Sequence, residues 1–163
     1  MSYRIGILTL SDKGARGERV DSSGPLLAAQ IEGLGQIVRT DIIPDDAKTI
    51  EETLCTWADR DHLALILTTG GTGLSPRDVT PEATLRVVDR LVPGMAEAMR
   101  AASLAKTPHA MLSRAVVGIR GSTLIVNLPG SPKGASENLA VLLPALGHAL
   151  AKLQGDPADC ATP

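Results

Sequence analysis

The chain has almost no aromatic residues. Its 163 residues include one Trp, one Tyr and no Phe. A core built without rings is aliphatic, so Leu, Val, Ile and Ala must carry it, with Met95, Met99 and Met111 as fillers. The same shortage removes the stacking platforms of single-strand binders. Excess positive charge is lacking too: 16 Lys and Arg stand against 18 Asp and Glu, a formal net charge of −2. With neither a basic stripe nor stacking rings, no nucleic-acid partner is expected. The two cysteines, Cys55 and Cys160, sit in no metal-ligand spacing. A disulfide framework is therefore not expected, and a reducing cytoplasm fits. No apolar run approaches the ~20 residues that cross a bilayer, and no signal-like stretch precedes the first strand-like run. The expectation is a soluble cytoplasmic protein with no membrane partner. Apolar residues make up 44% of the chain, which argues against disorder. The length suits a single domain over residues 1–163, with a frayed tail from about 155.

What is present is an alternation of strand and helix signals. Residues 4–10, RIGILTL, form a nearly continuous apolar run, as a strand covered on both faces does. SDKGARGERVDSSG reads as a loop. Pro25 then opens a helix with Leu27, Ile31 and Leu34 on one face, ended by Gly33 and Gly35. QIVRTDII (36–43) is a second strand, stopped by Pro44. Asp45 or Asp46 caps the next helix, whose face is Ile50, Leu54 and Trp57. LALILTT (63–69) is a third strand. Thr80 and Pro81 start a helix with Leu85, Val88 and Leu91 as its expected inner face. Pro93 and Gly94 separate it from a helix bearing Met95 and Met99. AVVGIRGSTLIVNL (115–128) reads as a hairpin turning at Gly121–Ser122. Ser131 and Pro132 open a last helix faced by Leu139, Leu142, Leu146, Leu150 and Leu153, with a kink expected at Pro144. The alternation specifies a mostly parallel sheet with helices on both faces, and the hairpin adds an antiparallel strand. The expected class is α/β, a three-layer α/β/α sandwich.

Such sheets bind ligands at the carboxyl ends of their strands. Four polar segments fall there: SDKG, IPDD, TTGGTG and NLPGSPKG. Within TTGGTG, residues Thr68, Thr69, Gly70, Gly71, Thr72 and Gly73 combine bare backbone with hydroxyl donors ahead of a helix start. That chemistry suits phosphate. The segment is neither a P-loop nor a dinucleotide GxGxxG fingerprint. The simpler alternative is a tight turn that needs positive φ. Asp45 and Asp78 each have an ordinary alternative at a helix start. Together, beside a phosphate cradle, they suggest magnesium, which takes one or two carboxylates plus substrate phosphates. Asp12 is a candidate third acid. Arg77 either clamps a phosphate or pairs with Asp78. His62, His109 and His148 share no motif, and Ser11 and Ser113 have no neighbouring triad partners, so nucleophilic catalysis is not expected.

TLSDKG, IIPDD, LTTGGTGLSPRDVTPEAT, VPGMAEAMR and LSRAVVGIRGSTLIVNLPGSPKG, in that order, resemble the molybdenum-cofactor biosynthesis proteins of the MogA/MoaB type, the molybdopterin adenylyltransferases. The same fold occurs in the G domain of gephyrin-like proteins and within MoeA. The resemblance covers residues 4–154 and implies an α/β/α sandwich. It implies transfer of AMP from ATP to the terminal phosphate of molybdopterin, with release of pyrophosphate and magnesium as cofactor. A homotrimer is implied, or a hexamer as in some MoaB relatives, and other proteins of the cofactor pathway as partners. Catalytic and metal-binding roles fall on Asp45, in its I-P-D context, and on Asp78, in R-D-V-T-P. Retention of both acids points to the MogA-like side. TTGGTG takes the phosphates, and Ser11, Asp12, Arg77, Ser113, Arg114, Asn127, Pro129, Gly130 and Ser131 are candidates for the pterin and nucleotide walls. The alternative on the same fold is a non-catalytic pterin-binding scaffold. A generic nucleotide-binding regulator is disfavoured by the absent P-loop.

Overall fold

A computed structural model describes residues 2–158. Cys160 and the end of the expected tail lie outside the described residues. The elements are β1 (Tyr3–Leu10), α1 (Asp12–Ala15), α2 (Ser23–Gln30), β2 (Gly35–Ile43), α3 (Ala47–Cys55), β3 (Leu65–Thr69), α4 (Thr80–Val87), β4 (Arg90–Leu91), α5 (Pro93–Leu104), β5 (Val117–Arg120), β6 (Thr123–Leu128) and α6 (Pro132–Leu153). A π turn at Thr56–Arg60 extends α3, and a 3-10 turn at Pro108–Leu112 follows α5. The six strands form one sheet in the order β2-β1-β3-β6-β5-β4. β2, β1, β3 and β6 are parallel, and β5 runs antiparallel to both β6 and the short edge strand β4.

Side chains alternate along each strand, so a strand covered on both faces must be apolar throughout. In β3, Leu65 and Leu67 join a core with Leu27, Met99, Leu139, Leu142, Leu146 and Leu150, from α2, α5 and α6. Ile66 points the other way, into a core with Ile50, Leu54, Trp57, Ala83 and Val87, from α3, its π turn and α4. These two cores are the two interfaces of the α/β/α sandwich. Truncating one of their fully buried leucines to Ala would cost about 2–5 kcal/mol.

Several local expectations change. The buried face of α4 is Ala83, Thr84 and Val87, whereas Leu85 and Leu91 are 47% and 53% exposed. Thr84 can be buried because its hydroxyl bonds the Thr80 carbonyl at 2.8 Å and accepts from Asn127 at 3.0 Å. Helix α4 ends at Val87, so Leu91 belongs to β4 instead. Met111 is 65% exposed and fills no core. The first loop contains the helical turn α1, and α2 begins at Ser23, two residues before Pro25. Helix α6 runs through Pro144 as one element.

The register sets the site. Thr9 pairs with Thr69, and Thr69 with Leu128, so β1, β3 and β6 end level with one another. From β1 the chain steps to β2 on one side and then to β3 on the other. The crevice at such a switch point is where doubly wound sheets bind ligands.

Candidate active site

The chain leaves β3 through two glycines in the left-handed region, Gly70 at φ 104° and Gly71 at φ 68°. A side chain at Gly70 would strike the Leu10 carbonyl, and one at Gly71 would strike the Thr80 hydroxyl. Both positions therefore require glycine for close approach as well as for backbone conformation. The turn is wedged from below. Gly70 donates its N–H to Leu128 at 3.1 Å, and its carbonyl accepts from the Thr80 hydroxyl at 2.9 Å. The Thr69 hydroxyl donates to the Pro129 carbonyl at 2.7 Å. Thr68 and Asn127 are fully buried, and the Asn127 amide donates to both Thr68 and Thr84 at 3.0 Å. They form the polar floor under the turn and do not reach its surface. Among the described residues, the N–H groups of Gly71, Thr72 and Gly73 make no hydrogen bond. Three unused donors at the carboxyl edge of a parallel sheet are what an anion-binding turn presents.

Three acids converge beside it. The Asp12 N–H donates to the Asp45 carboxylate at 3.0 Å, and the Asp45 N–H donates to the Asp12 carboxylate at 3.0 Å. This reciprocal pair ties the ends of β1 and β2 together. Arg77 binds Asp12 through both arms of its fork, at 2.9 and 2.8 Å. Its partner is thus Asp12, not Asp78, and this bond holds the Asp12 carboxyl below the usual carboxylate range. Asp45 is the opposite case. Burial pushes its carboxyl up, and the charges of Asp12 and Asp78 add to that push despite the Asp12 N–H bond. The cap of α3 is Asp46, which accepts from the Thr49 N–H at 2.9 Å, so Asp45 is released from capping. Asp78 accepts from the Ser75 N–H at 2.9 Å and stands beside Gly73, where an added Cβ would lie 2.9 Å from its Oδ2.

Two cavities flank the turn. One, of about 400 Å³, is bordered by Ser11, Asp45, Thr69, Gly70, Gly71, Asp78 and Gly130. The other, of about 300 Å³, is bordered by Thr72, Gly73, Ser113 and Pro129, with Ala96, Met99, Arg100, Ser103, Ala110 and Asn138 from the helical layer. Ser131 borders both, and its hydroxyl caps α6 by accepting from Gly134 at 3.1 Å. Ser11 caps α1 in the same way, at 3.0 Å from Gly14. Arg114 turns from both cavities toward the segment that carries Asp78. It donates to the Gly73 carbonyl at 2.8 Å and the Asp78 carbonyl at 2.6 Å, and it pairs with Glu82. Burial raises the Glu82 carboxyl, but the bond from Arg114, a backbone N–H and the charges of Arg114 and Arg86 together leave it lowered.

Sequence reading missed part of the first cavity's wall. Arg19, Asp21, Ser22 and Ser23 also border it. Asp21 accepts from the N–H groups of Ser23 and Gly24 and from the Thr9 hydroxyl, at 3.1, 3.1 and 2.9 Å. The signal was Asp21 ahead of a helix start, an Asx turn hidden in a loop-like segment.

Residues 6–148 match the family model described as a probable molybdopterin binding domain of molybdenum-cofactor biosynthesis. The chain belongs to this family. Within it, the chain is 43% identical to the molybdopterin adenylyltransferase of Escherichia coli (strain K12) over 150 residues, covering 90% of this chain and 77% of that one. It is 42% identical to gephyrin of Dictyostelium discoideum, covering 94% of this chain but 23% of that protein. The chain thus spans about a quarter of the length of such longer relatives. Among solved family structures, the molybdopterin biosynthesis enzyme MoaB of Thermus thermophilus superposes with a TM-score of 0.90 at 53% identity, covering 96% of this chain and 99% of that one. The tungsten-cofactor-synthesizing MoaB of Pyrococcus furiosus superposes at 0.86 with 34% identity, covering 94% and 98%. No helix among the described residues is long and apolar enough to cross a membrane.

Proposed function

We propose that this chain is a molybdopterin adenylyltransferase, moving AMP from ATP to the terminal phosphate of molybdopterin and releasing pyrophosphate. The observation that carries the reading is the meeting of Asp45 and Asp78 in one cavity, beside a glycine turn with unused N–H groups. The reaction forms a bond from a molybdopterin phosphate oxygen to the α-phosphorus of ATP and breaks the bond to the β-phosphate. It needs alignment and charge neutralisation more than a covalent catalyst.

The donor set fits magnesium. Asp45 is burdened by burial and by two neighbouring carboxylates, and Arg77 is committed to Asp12. Among the described residues no three acids, histidines or cysteines, Asp12, Asp45 and Asp78 included, are grouped so as to hold a metal ion by themselves. Magnesium held by one or two carboxylates and substrate phosphates needs none. Asp45 and Asp78 would hold the ion, which supplies polarisation of the α-phosphate and charge balance for pyrophosphate. The other roles belong to the chain. Gly71, Thr72 and Gly73 donate N–H groups to phosphate oxygens. Ser11 and Ser131 present hydroxyls at the cavity wall, and Arg19 adds a cation at its rim. The cavity walled by Ala96, Met99 and Ala110 takes a planar ring, and Ser113 and Asn138 supply polar contacts to its edge. Thr68 and Asn127 act beneath the turn without touching ligand.

The test is direct. Purified protein is given molybdopterin, ATP and magnesium, and adenylylated molybdopterin and pyrophosphate are followed. Equal amounts of both are expected. Tight molybdopterin binding without product would establish the scaffold alternative. The family resemblance supports a trimer, and light scattering that reports a monomer across micromolar concentrations would reject it.

A further inference from the structure

We propose that Arg114 and Glu82 form the positioning pair for Asp78, aligning this acid without touching substrate or metal; the role rests on the adenylyl-transfer reading. The segment Leu74–Arg77 is exposed, and Leu74 itself is 64% exposed, so apolar packing does not hold it. Polar straps hold it instead. The segment closes on itself, with the Asp78 N–H donating to the Ser75 carbonyl and the Ser75 N–H donating to the Asp78 carboxylate, both at 2.9 Å. That small ring is then fastened to the fold on its far side by one guanidinium. Arg114 reaches the Gly73 carbonyl at one end of the segment and the Asp78 carbonyl at the other. Its own N–H donates to the Thr72 carbonyl at 2.9 Å. The remaining arm pairs with Glu82 in the first turn of α4, an element fixed by the buried residues Thr80, Pro81, Ala83 and Thr84.

The geometry requires arginine. Three acceptors on two elements are met by separate N–H groups of one planar fork, which a lysine ammonium cannot match. Glu82 fixes the fork's rotation, and its Oε2 is buried with no partner among the described residues. An orphaned buried carboxylate oxygen costs stability.

The test uses Arg114→Lys, Glu82→Gln, Asp78→Asn and the Arg114→Lys/Asp78→Asn double variant. Turnover is measured against ATP, molybdopterin and magnesium. Binding of Mn²⁺ with ATP is followed by paramagnetic resonance, and exchange of the Ser75 and Asp78 amides is followed without ligand. Arg114→Lys is expected to lower kcat and to weaken Mn²⁺ binding by about tenfold each, the usual range for a residue that orients a metal ligand. KM for molybdopterin stays unchanged, the two amides exchange faster, and β3 amides keep their protection. Glu82→Gln moves every readout the same way by less. On the Asp78→Asn background, Arg114→Lys adds little further loss. The pair's role is overturned if Arg114→Lys raises KM for molybdopterin with Mn²⁺ affinity intact, or if its loss adds in full to that of Asp78→Asn. If the wild-type protein makes no product, adenylyl transfer fails as the function, while the exchange and Mn²⁺ measurements still decide whether Arg114 and Glu82 position Asp78.

Discussion

The two halves of the TTGGTGLSPRD segment are held by opposite means. Gly70 and Gly71 are locked by close backbone approach to Leu10 and Thr80, under positive φ, on a floor of buried hydroxyls and one amide. The stretch from Gly73 to Asp78, exposed over Leu74–Arg77 and half-buried at its ends, is held by two arginines, Arg77 toward Asp12 and Arg114 toward Glu82. The first half is fixed by backbone contact. The second is tied to the rest of the fold through side chains. A rigid donor array suits phosphate oxygens, whose positions are common to many nucleotides. An acid aligned by side chains suits a ligand that arrives with its phosphates. Turn and site are therefore one object: the packing that demands glycine also leaves the neighbouring N–H groups without a hydrogen bond among the described residues.

Four variants or conditions would break or sharpen this contrast. Asp78→Asn should produce the largest change, a loss of about a hundredfold or more in turnover with normal folding, since an amide is a poor ligand for magnesium. Near-normal turnover at saturating magnesium would reduce Asp78 to a loop residue. Gly71→Val comes next. It should cost about 2–3 kcal/mol of stability through backbone strain and the collision with Thr80, a loss read by thermal or denaturant unfolding. In whatever folds, affinity for ATP or molybdopterin should also fall about tenfold, near 1.4 kcal/mol by titration calorimetry. Unchanged affinity would mean that the turn serves only the fold. Gly73→Ala isolates the half held by side chains, because its backbone is not in the left-handed region and its new methyl meets only the end of Asp78. Turnover should fall about tenfold while stability stays within about 0.5 kcal/mol. A large stability loss there would show that the second half is as locked as the first.

The smallest effect is on pH. The Asp45 carboxyl is raised chiefly by burial, so the folded protein holds this proton more tightly than the unfolded chain does. The Asp45 contribution to metal-free stability should therefore be largest at low pH and be lost as pH rises through the raised value, opposite to the contributions of the lowered carboxyls of Asp12 and Glu82. Magnesium binding should weaken in the reverse direction, as protons compete for the same carboxylate. Asp45→Asn should remove this contribution, read as the difference between the wild-type and variant stability profiles, and raise the metal-free melting temperature while abolishing transfer. An unaltered profile would show that Asp45 is better solvated than its surroundings imply.

Much of this was legible in the chain. Continuous apolar runs fixed the buried parallel strands, because only a strand covered on both faces avoids polar alternation. Thr80–Pro81 and Ser131–Pro132 located the starts of α4 and α6, since proline's fixed φ in both and the Ser131 cap in α6 are local chemistry. Gly121–Ser122 gave the hairpin. Identities at contacts distant in sequence were not legible. Nothing local says that Arg77 reaches back 65 positions to Asp12, that Asp46 takes the cap and frees Asp45, or that Arg114 faces a loop and not a ligand. The inner face of α4 was also hidden. Thr84 can be buried only because Asn127, from another strand, completes its hydrogen bonds. The sequence by itself determined the main strands and helices, their order and the sheet edge that carries the site, though not the short α1 and β4, because periodicity and capping act within a few residues. Only the tertiary structure decided which charge meets which, because a carboxylate's partner and its burial depend on strands brought side by side from distant parts of the chain.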